Sequence, residues 1–573
     1  MPCGFEINFP TLREKAKDLD LDIPYDHPVL EEIYAKRNLK LSKIPLNVLH
    51  AIPTTLLFSL EGMVDLPLDW EKLLRLRCTD GFFHSSPAAT AAALSRTGDK
   101  ECQAFLDRLI KKFDGGVPCS HSMDTFEQVW VVDRLMHLGI SRHFTSEIDR
   151  FLEFIYRRWT QKGLAHNVHY PIADIDDTAM GFRLLRQHGY DVNPSVFKQF
   201  EKDGRFVCFP METNHASVTP MHNTYRASQF MFPGDDDVLA RAGRYCRAFL
   251  EERQASNNLY DKWIITKYLP GEVGYTLNFP WKASLPRIKT RMYLDQYGGN
   301  TDDWIAKVLY RMNLVSNDLY LKMAKSDFRE YQRLSRLEWN GLRKWYFRNH
   351  LQRYGGTPKS ALTAYFLASA NIFEPGRASE RLAWARMAVL AEAVTTHFRH
   401  IGGPCNSTQN LEDLIDLVSS DNVSGELQWK QWLMAWTAKE NHGSIDGDTA
   451  LLFVRTIEIV SGRNVSAEKK LNLWDYSQLE QLTSSICHKL ATIGLAQNEG
   501  SMDRAWRTQR TYNGKWIWRC KNFLGVFIRV ARQSTEKPER IFLNVVKSFY
   551  YSAHCSPETV DSHIAKVIFQ DVI

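Results

Sequence analysis

Apolar residues recur along this chain at steps of three and four, and that spacing narrows the folds open to it more than any other feature. In 478–496, Leu479, Leu482, Ile486, Leu490 and Ile493 follow it, the pattern that lines one face of a helix. Residues 361–373 (ALTAYFLASANIF) and 380–398 (ERLAWARMAVLAEAVTTHF) read the same way. Long alternating runs of the strand type are scarce. Turn groups separate the helical stretches: Asp114-Gly115-Gly116-Val117-Pro118, Phe232-Pro233-Gly234-Asp235, Tyr297-Gly298-Gly299 and Arg353-Tyr354-Gly355-Gly356. Two further Gly turns, at Cys78-Thr79-Asp80-Gly81 and Thr160-Gln161-Lys162-Gly163, each follow a helix and precede another, which suits stacked helical hairpins. The expectation is an all-α protein. Its 573 residues allow three or four domains at ~100–200 residues each.

Hydrophobic residues make up 44% of the chain and charged residues 24%, enough apolar material for a large core. Lys+Arg of 72 against Asp+Glu of 66 leaves +6, too little for a nucleic-acid partner without a concentrated patch. No apolar run reaches the ~18 residues of a membrane span. The opening MPCGFEINFP shows neither a secretory signal nor an Arg/Ser-rich organelle peptide. Ten cysteines are scattered with no Cys-x-x-Cys pair, so they read as small buried hydrophobes rather than a disulfide framework or a zinc site. One stretch stands apart. Between Arg504 and Thr535 there is no Asp or Glu, while Arg504, Arg507, Arg510, Lys515, Arg519, Lys521, Arg529 and Arg532 interleave with Trp506, Trp516 and Trp518. Such a mixture suits single-stranded nucleic acid or an anionic membrane surface, and equally a solvated surface helix or insert.

The residues that carry chemistry are Asp174-Ile175-Asp176-Asp177-Thr178-Ala179-Met180, between the loop His166-Asn167-Val168-His169-Tyr170-Pro171 and a helix expected over Gly181-Phe182-Arg183-Leu184-Leu185. Asp177 or Thr178 is placed to cap that helix. Three carboxylates this close cannot all stay ionised when buried, because repulsion and desolvation raise at least one pKa above the ordinary ~3.9. A carboxylic acid still protonated at neutral pH is a proton donor. A divalent metal is the rival occupant, since Mg²⁺ also prefers carboxylates.

At this point the sequence resembles a known family. DIDDTAMGFRLLRQHGY looks like the signature of plant class II diterpene cyclases, the copalyl diphosphate synthases, especially those of cereals. Further matching stretches are Ile52-Pro53-Thr54-Thr55-Leu56-Leu57, Ser59-Leu60-Glu61-Gly62-Met63, Asp261-Lys262-Trp263, Trp281-Lys282-Ala283-Ser284-Leu285-Pro286-Arg287 and Ser556-Pro557-Glu558-Thr559. The likeness runs from Gly4 to about Met502 and resumes near Phe542. It implies α/α-barrel domains of the γ and β types plus a vestigial class I-like α domain: 1–146 a shortened γ-type domain, 147–345 the β-type domain with the aspartates, and 346–573 the α domain. It implies geranylgeranyl diphosphate as substrate, with Asp176 protonating the terminal alkene while Asp174 and Asp177 orient it. The cation closes two rings and loses a proton, and the diphosphate stays intact. Lys40 and Lys262 fall at the diphosphate-binding positions, and Trp130, Tyr225, Trp263 and Tyr310 are candidate walls whose ring faces stabilise a cation. Mg²⁺, a plastid location, a downstream class I diterpene synthase, and a place in gibberellin or defence metabolism are implied in the same way.

The chain also departs from that family. Class I ionisation needs a D-D-x-x-D cluster, and the matching residues are Leu390-Ala391-Glu392-Ala393-Val394-Thr395; Glu412-Asp413-Leu414-Ile415-Asp416 imitates the spacing in a different segment. The acidic, magnesium-linked motif that normally lies just before the residues matching Gly4-Phe5-Glu6 is absent. Where ent-specific members hold a His–Asn pair, this chain has Phe58 and Cys119, which disfavours the ent product. Where syn-forming relatives tend to carry histidine it has Tyr310. The basic 504–535 stretch replaces an acidic helical segment, as a shifted reading frame would. The expectation is a cyclase making a copalyl-type diphosphate; the alternative is a non-catalytic, truncated relative.

Overall fold

The structure, a computed structural model, describes residues 5–400 apart from 24, 212–215, 232–233, 261–268, 298–310 and 316–317, and near the end 544, 547–548, 551–552 and 554–572. The helical expectation over 478–496, the basic stretch 504–535 and the 412–416 string lie outside the described residues.

The described chain is helical, as the spacing of its apolar residues requires. The helices are α1 (Phe5–Asp18), α2 (Pro28–Leu41), α3 (Leu46–Leu49), α4 (Trp70–Leu74), α5 (Pro87–Thr97), α6 (Lys100–Phe113), α7 (Asp124–His137), α8 (Thr145–Arg158), α9 (Ile175–Gln187), α10 (Val218–Ser228), α11 (Val238–Ala255), α12 (Leu269–Asn278) and α13 (Pro286–Gln296). Beyond them come α14 (Asp318–Arg348), α15 (Pro358–Asn371), α16 (Ala378–His400) and α17 (Pro557–Ile564). Among the described residues the one strand ladder is a two-residue antiparallel pair, Glu201–Lys202 with Arg205–Phe206. The periodic stretches at 361–373 and 380–398 fall on α15 and α16.

Local sequence explains the ends of these helices. The α6 helix starts where Asp99 accepts the Cys102 N–H at 2.9 Å and stops where Asp114 turns left-handed; it buries Cys102, Phe105 and Leu109, spaced three and four apart. The α15 helix opens on a capping box in which Thr357 and Ser360 exchange side chain-to-backbone bonds.

Among the described residues two larger apolar cores stand beside a small one of Phe82, Phe105 and Leu109. One lies under α1, the 3₁₀ segment Thr55–Gly62 and α5, and holds Ile7, Leu49, Leu57, Leu60 and Phe83. The larger runs from Val129 on α7 to Ala393 on α16 and takes in Tyr551, Ile564 and Ile568. The long α14 helix ties down the chain's end: Gln332, Arg336 and, from α13, Arg291 donate to the carbonyls of 566–571, including Arg336 Nε to Ile568 O at 2.9 Å. These bonds supply partners to carbonyls that the last helical turn leaves open.

The α9 helix is the centre of the larger core. It is buried along almost its whole length, packed on α7, α8 and α10. Its entry is set by the turn at Gly163. There φ is +84°, and an added methyl would overlap the Thr178 hydroxyl. That hydroxyl in turn accepts the Leu164 N–H at 3.0 Å. A Gly163→Ala variant therefore meets both backbone strain and a clash. Denaturant unfolding is expected to show a loss of roughly 2–4 kcal/mol; a loss below about 0.5 kcal/mol, the range of an ordinary surface change, contradicts a strained and crowded turn.

Candidate active site

The aspartates sit at the start of α9, but the cap is not where the sequence placed it. Asp174, rather than Asp177 or Thr178, is the N-cap: its backbone is extended (φ −117°, ψ 159°) and its Oδ1 accepts the Asp177 N–H at 2.8 Å. The helix thus begins at Ile175, six residues before the expected Gly181. The reason is where the loop arrives, which makes Asp174 the first short polar side chain to reach an open helical N–H. Backbone bonds fix that loop end, with Asp174 N donating to Leu164 O at 3.1 Å and Ile175 N to Cys208 O at 3.0 Å.

Burial decides the protonation. Asp174 and Asp177 are almost wholly buried. Desolvation pushes the Asp174 carboxyl up to about 6, against the pull of the N–H groups it accepts. Asp177 goes well above the ordinary carboxylate range, driven first by burial and then by the charges of Asp174 and Asp176. One Asp177 oxygen has no hydrogen-bond partner among the described residues. Burial and mutual repulsion therefore both favour a bound proton in the cluster, as the crowding of three acids led one to expect.

Asp176 is half-buried and is held from a different helix. Asn223 Nδ2 on α10 donates to Asp176 Oδ1 at 2.7 Å. Arg226 Nη1 donates to Asn223 Oδ1 at 3.0 Å, which fixes which way round that amide lies. Arg226 is anchored on Asp133 of α7 at 2.8 and 3.0 Å, and Arg183 of α9 reaches the same carboxylate at 2.5 Å. Burial alone would raise Asp133, yet the two guanidiniums hold it well below its ordinary value. Beside them His137 is pushed down to about 3 by burial, so it is neutral, and its Nε2 accepts from Arg226 at 3.2 Å. Asn223, Arg226, Asp133 and His137 were not picked out from the sequence. Their signal there is faint: polar and charged residues on the buried faces of apolar helices.

The other expected residues are dispersed. Lys40 on α2 pairs with Glu6 at 3.0 Å and is partly exposed. Phe58 lies on the Thr55–Gly62 segment with its ring edge-on to His84, centroids 5.7 Å apart. Cys119 is largely buried, its thiol pushed up to about 12 by desolvation. Trp130 packs against Phe126 at 5.4 Å. Tyr225 lies two positions past Asn223, hence on the opposite side of α10, where the charges of Arg247 and Glu251 on α11 bear on its buried phenol. This placement argues against Tyr225 as a wall beside Asp176. Lys262, Trp263 and Tyr310 lie outside the described residues.

The aspartates do not fit a resident metal. Asp174 is occupied as a cap, Asp177 is driven toward its neutral form, and among the described residues no group of three or more His, Cys, Asp and Glu side chains is arranged to hold an ion. A divalent cation such as magnesium takes ionised oxygens with free lone pairs, and this cluster offers few of them.

A buried acid at the head of a helix, inside an all-helical apolar scaffold, suits proton-initiated chemistry on a hydrocarbon chain. Residues 69–277 match the family model for "Terpene synthase, N-terminal domain". The chain is 60% identical to a syn-copalyl diphosphate synthase of Oryza sativa subsp. indica, over 100% of this chain and 75% of that protein. It is 54% identical, with the same coverage, to the chloroplastic ent-copalyl diphosphate synthase 2 of Oryza sativa subsp. japonica. Its structure is similar to that of ent-copalyl diphosphate synthase from Arabidopsis thaliana in complex with (S)-15-aza-14,15-dihydrogeranylgeranyl thiolodiphosphate, with a TM-score of 0.82 and 39% identity, covering 100% of this chain and 83% of that one. The chain belongs to the terpene synthase family, among its copalyl diphosphate synthases, which are class II diterpene cyclases.

The buried acids make stability depend on pH in a definite direction. Asp174 has a folded pKa raised to about 6 from 3.8, so its favourable contribution is complete below about pH 4 and is lost as pH rises through about 6. In Asp174→Asn the amide oxygen still caps α9 but does not titrate. Relative to that variant, the wild type is expected to lose roughly 2–3 kcal/mol between pH 4 and 7. Unfolding curves at stepped pH measure it; a difference that stays flat with pH overturns the assignment.

Proposed function

We propose that the chain converts geranylgeranyl diphosphate to a bicyclic copalyl-type diphosphate, with Asp176 as the proton donor. The observation that carries this is the Asn223 bond. Since Asn223 donates to Oδ1, that oxygen is kept as an acceptor and the transferable proton is directed to Oδ2. Protonation of the terminal alkene places positive charge on carbon. The electrons of the remaining double bonds then close two rings, and a C–H bond gives up its proton at the end. The diphosphate is not broken. Asp174 and Asp177 act through Asp176, their buried carboxyls favouring a bound proton beside it.

Lys40 and Lys262 are proposed to receive the diphosphate. Lys40 is paired with Glu6 at rest, so the substrate's phosphate displaces a carboxylate from a compact ammonium. Phe58 has no lone pair, and the Cys119 thiol is pushed up to about 12, so neither suits the end of the reaction in an ent-specific site; the ent product is disfavoured on that ground. The division at 1–146, 147–345 and 346–573 belongs to the same proposal. So do a plastid location, Mg²⁺ as a family cofactor, and use of the product by a class I diterpene synthase in gibberellin or defence metabolism.

Incubation with geranylgeranyl diphosphate, phosphatase treatment and mass spectrometry of the alcohols tests the proposal. The wild type is expected to yield a bicyclic alcohol. Asp176→Asn is expected to reduce it by about 10³-fold or more; recovery of geranylgeraniol alone from folded wild type would falsify the proposal. Asn223→Ala, which leaves Asp176 in place but unaligned, is expected to lower kcat by about 10–100-fold with little change in KM. An unchanged kcat removes Asn223 from the positioning role.

A further inference from the structure

The cyclisation proposed above ends with a cation that must lose a proton, and Asp176, which starts it, is committed to donating one. A second group has to accept. The stretch joining α4 to α5 supplies a candidate in His84, which no sequence motif marks. Its side chain is 6% exposed. The ring is enclosed by Phe58 at 5.7 Å and Tyr170 at 4.1 Å, both edge-on, and by His166 at 5.5 Å. Among the described residues Nδ1 has no hydrogen-bond partner. A nitrogen this deeply buried ordinarily has one. Burial also holds the imidazole well below its ordinary pKa, so it is neutral and keeps a lone pair.

Its neighbours are already engaged. His166 Nε2 is 3.0 Å from Ser85 Oγ, and Asn167 Nδ2 donates to Ser122 O at 3.1 Å. Ser85 O accepts the His121 N–H at 2.8 Å, two residues past Cys119. His84 and Ser85 both adopt left-handed backbone, φ 47° and 58°, a conformation that costs non-glycine residues about 1 kcal/mol or more and collects at functional sites. The loop that brings His166 and Tyr170 against His84 leads directly into α9. His166 and Tyr170 lie between Leu164 and Asp174, whose backbones bond at 3.1 Å, and α9 with Asp176 starts at the next residue.

We propose that His84 accepts the proton that ends the cyclisation. The C–H bond beside the cationic carbon breaks and its electron pair becomes the new carbon–carbon π bond. The proton goes to a ring nitrogen of His84 as imidazolium, and the diphosphate is unchanged. After release the imidazolium returns its proton to solvent, and Asp176 takes one up.

The proposal rests on the cyclase reading, and one set of assays separates the two. Wild type, His84→Ala and His84→Gln are given geranylgeranyl diphosphate, and both substrate consumption and the product alcohols are measured, with a melting curve for each. In the variants the native alkene is expected to fall relative to substrate consumed by at least about tenfold. Hydroxylated or otherwise placed double-bond products should replace it, as water or another position takes over. An unchanged product spectrum from either folded variant overturns the proposal. So does loss of the melting transition in both, which assigns His84 to the core. Geranylgeraniol alone from wild type overturns the cyclase reading and takes the proposal with it.

Discussion

The rest of this structure turns on the cost of burying carboxyl groups at the head of α9. Asp174 and Asp177 are removed from water, and a buried carboxylate is costly unless it is paired or neutralised. The helix end offsets part of that cost, because its open N–H groups and partial positive charge favour oxygen ligands there. Asp174 takes that role as the cap. The remaining cost is met by favouring a bound proton, Asp177 being raised well above its ordinary value first by its burial and then by the two carboxyls close to it. The aspartates thus double as a structural cap and a reservoir of acid.

In the proposed reaction, holding a proton is not enough; a donor must also present it. That task falls to charges outside the aspartate cluster. Asp133 on α7, Arg183 on α9 and Arg226 on α10 form a buried network, joined by neutral His137. Such networks add little net stability, but breaking one is costly, so they restrict how helices sit against each other. Here the consequence reaches the site: Arg226 sets the Asn223 amide, and Asn223 sets Asp176. The positioning therefore spans three helices.

Much of the scaffold was legible in the chain. The three-and-four spacing at 361–373 and 380–398 is realised in α15 and α16 because a helix there buries one apolar face. Gly115 and Gly355 fall in left-handed turns where the sequence expected breaks. The aspartate cluster and its preference for a bound proton were also visible, since crowding three acids has one physical outcome when they are buried. The cap was misplaced by a few residues because Asp174, Asp177 and Thr178 all carry a short oxygen, and which one meets an open N–H depends on where the loop from Leu164 arrives. Asn223 and His84 could not be read at all. Asn223 lies 47 positions from its partner Asp176, and His84 meets Phe58 from a separate segment, both beyond anything periodicity reports.

What the sequence determined by itself was local and repetitive: helices, breaks, an acidic cluster whose members cannot all ionise, and a likeness specific enough to place the chain in its family. Tertiary structure alone decided which carboxyl oxygen receives the Asn223 bond, that Tyr225 faces α11 instead of Asp176, and that an imidazole meets Phe58. The reason is that periodicity encodes how each segment turns a face to the core. The direction of a hydrogen bond and the dryness of a side chain are set only when distant segments close around it.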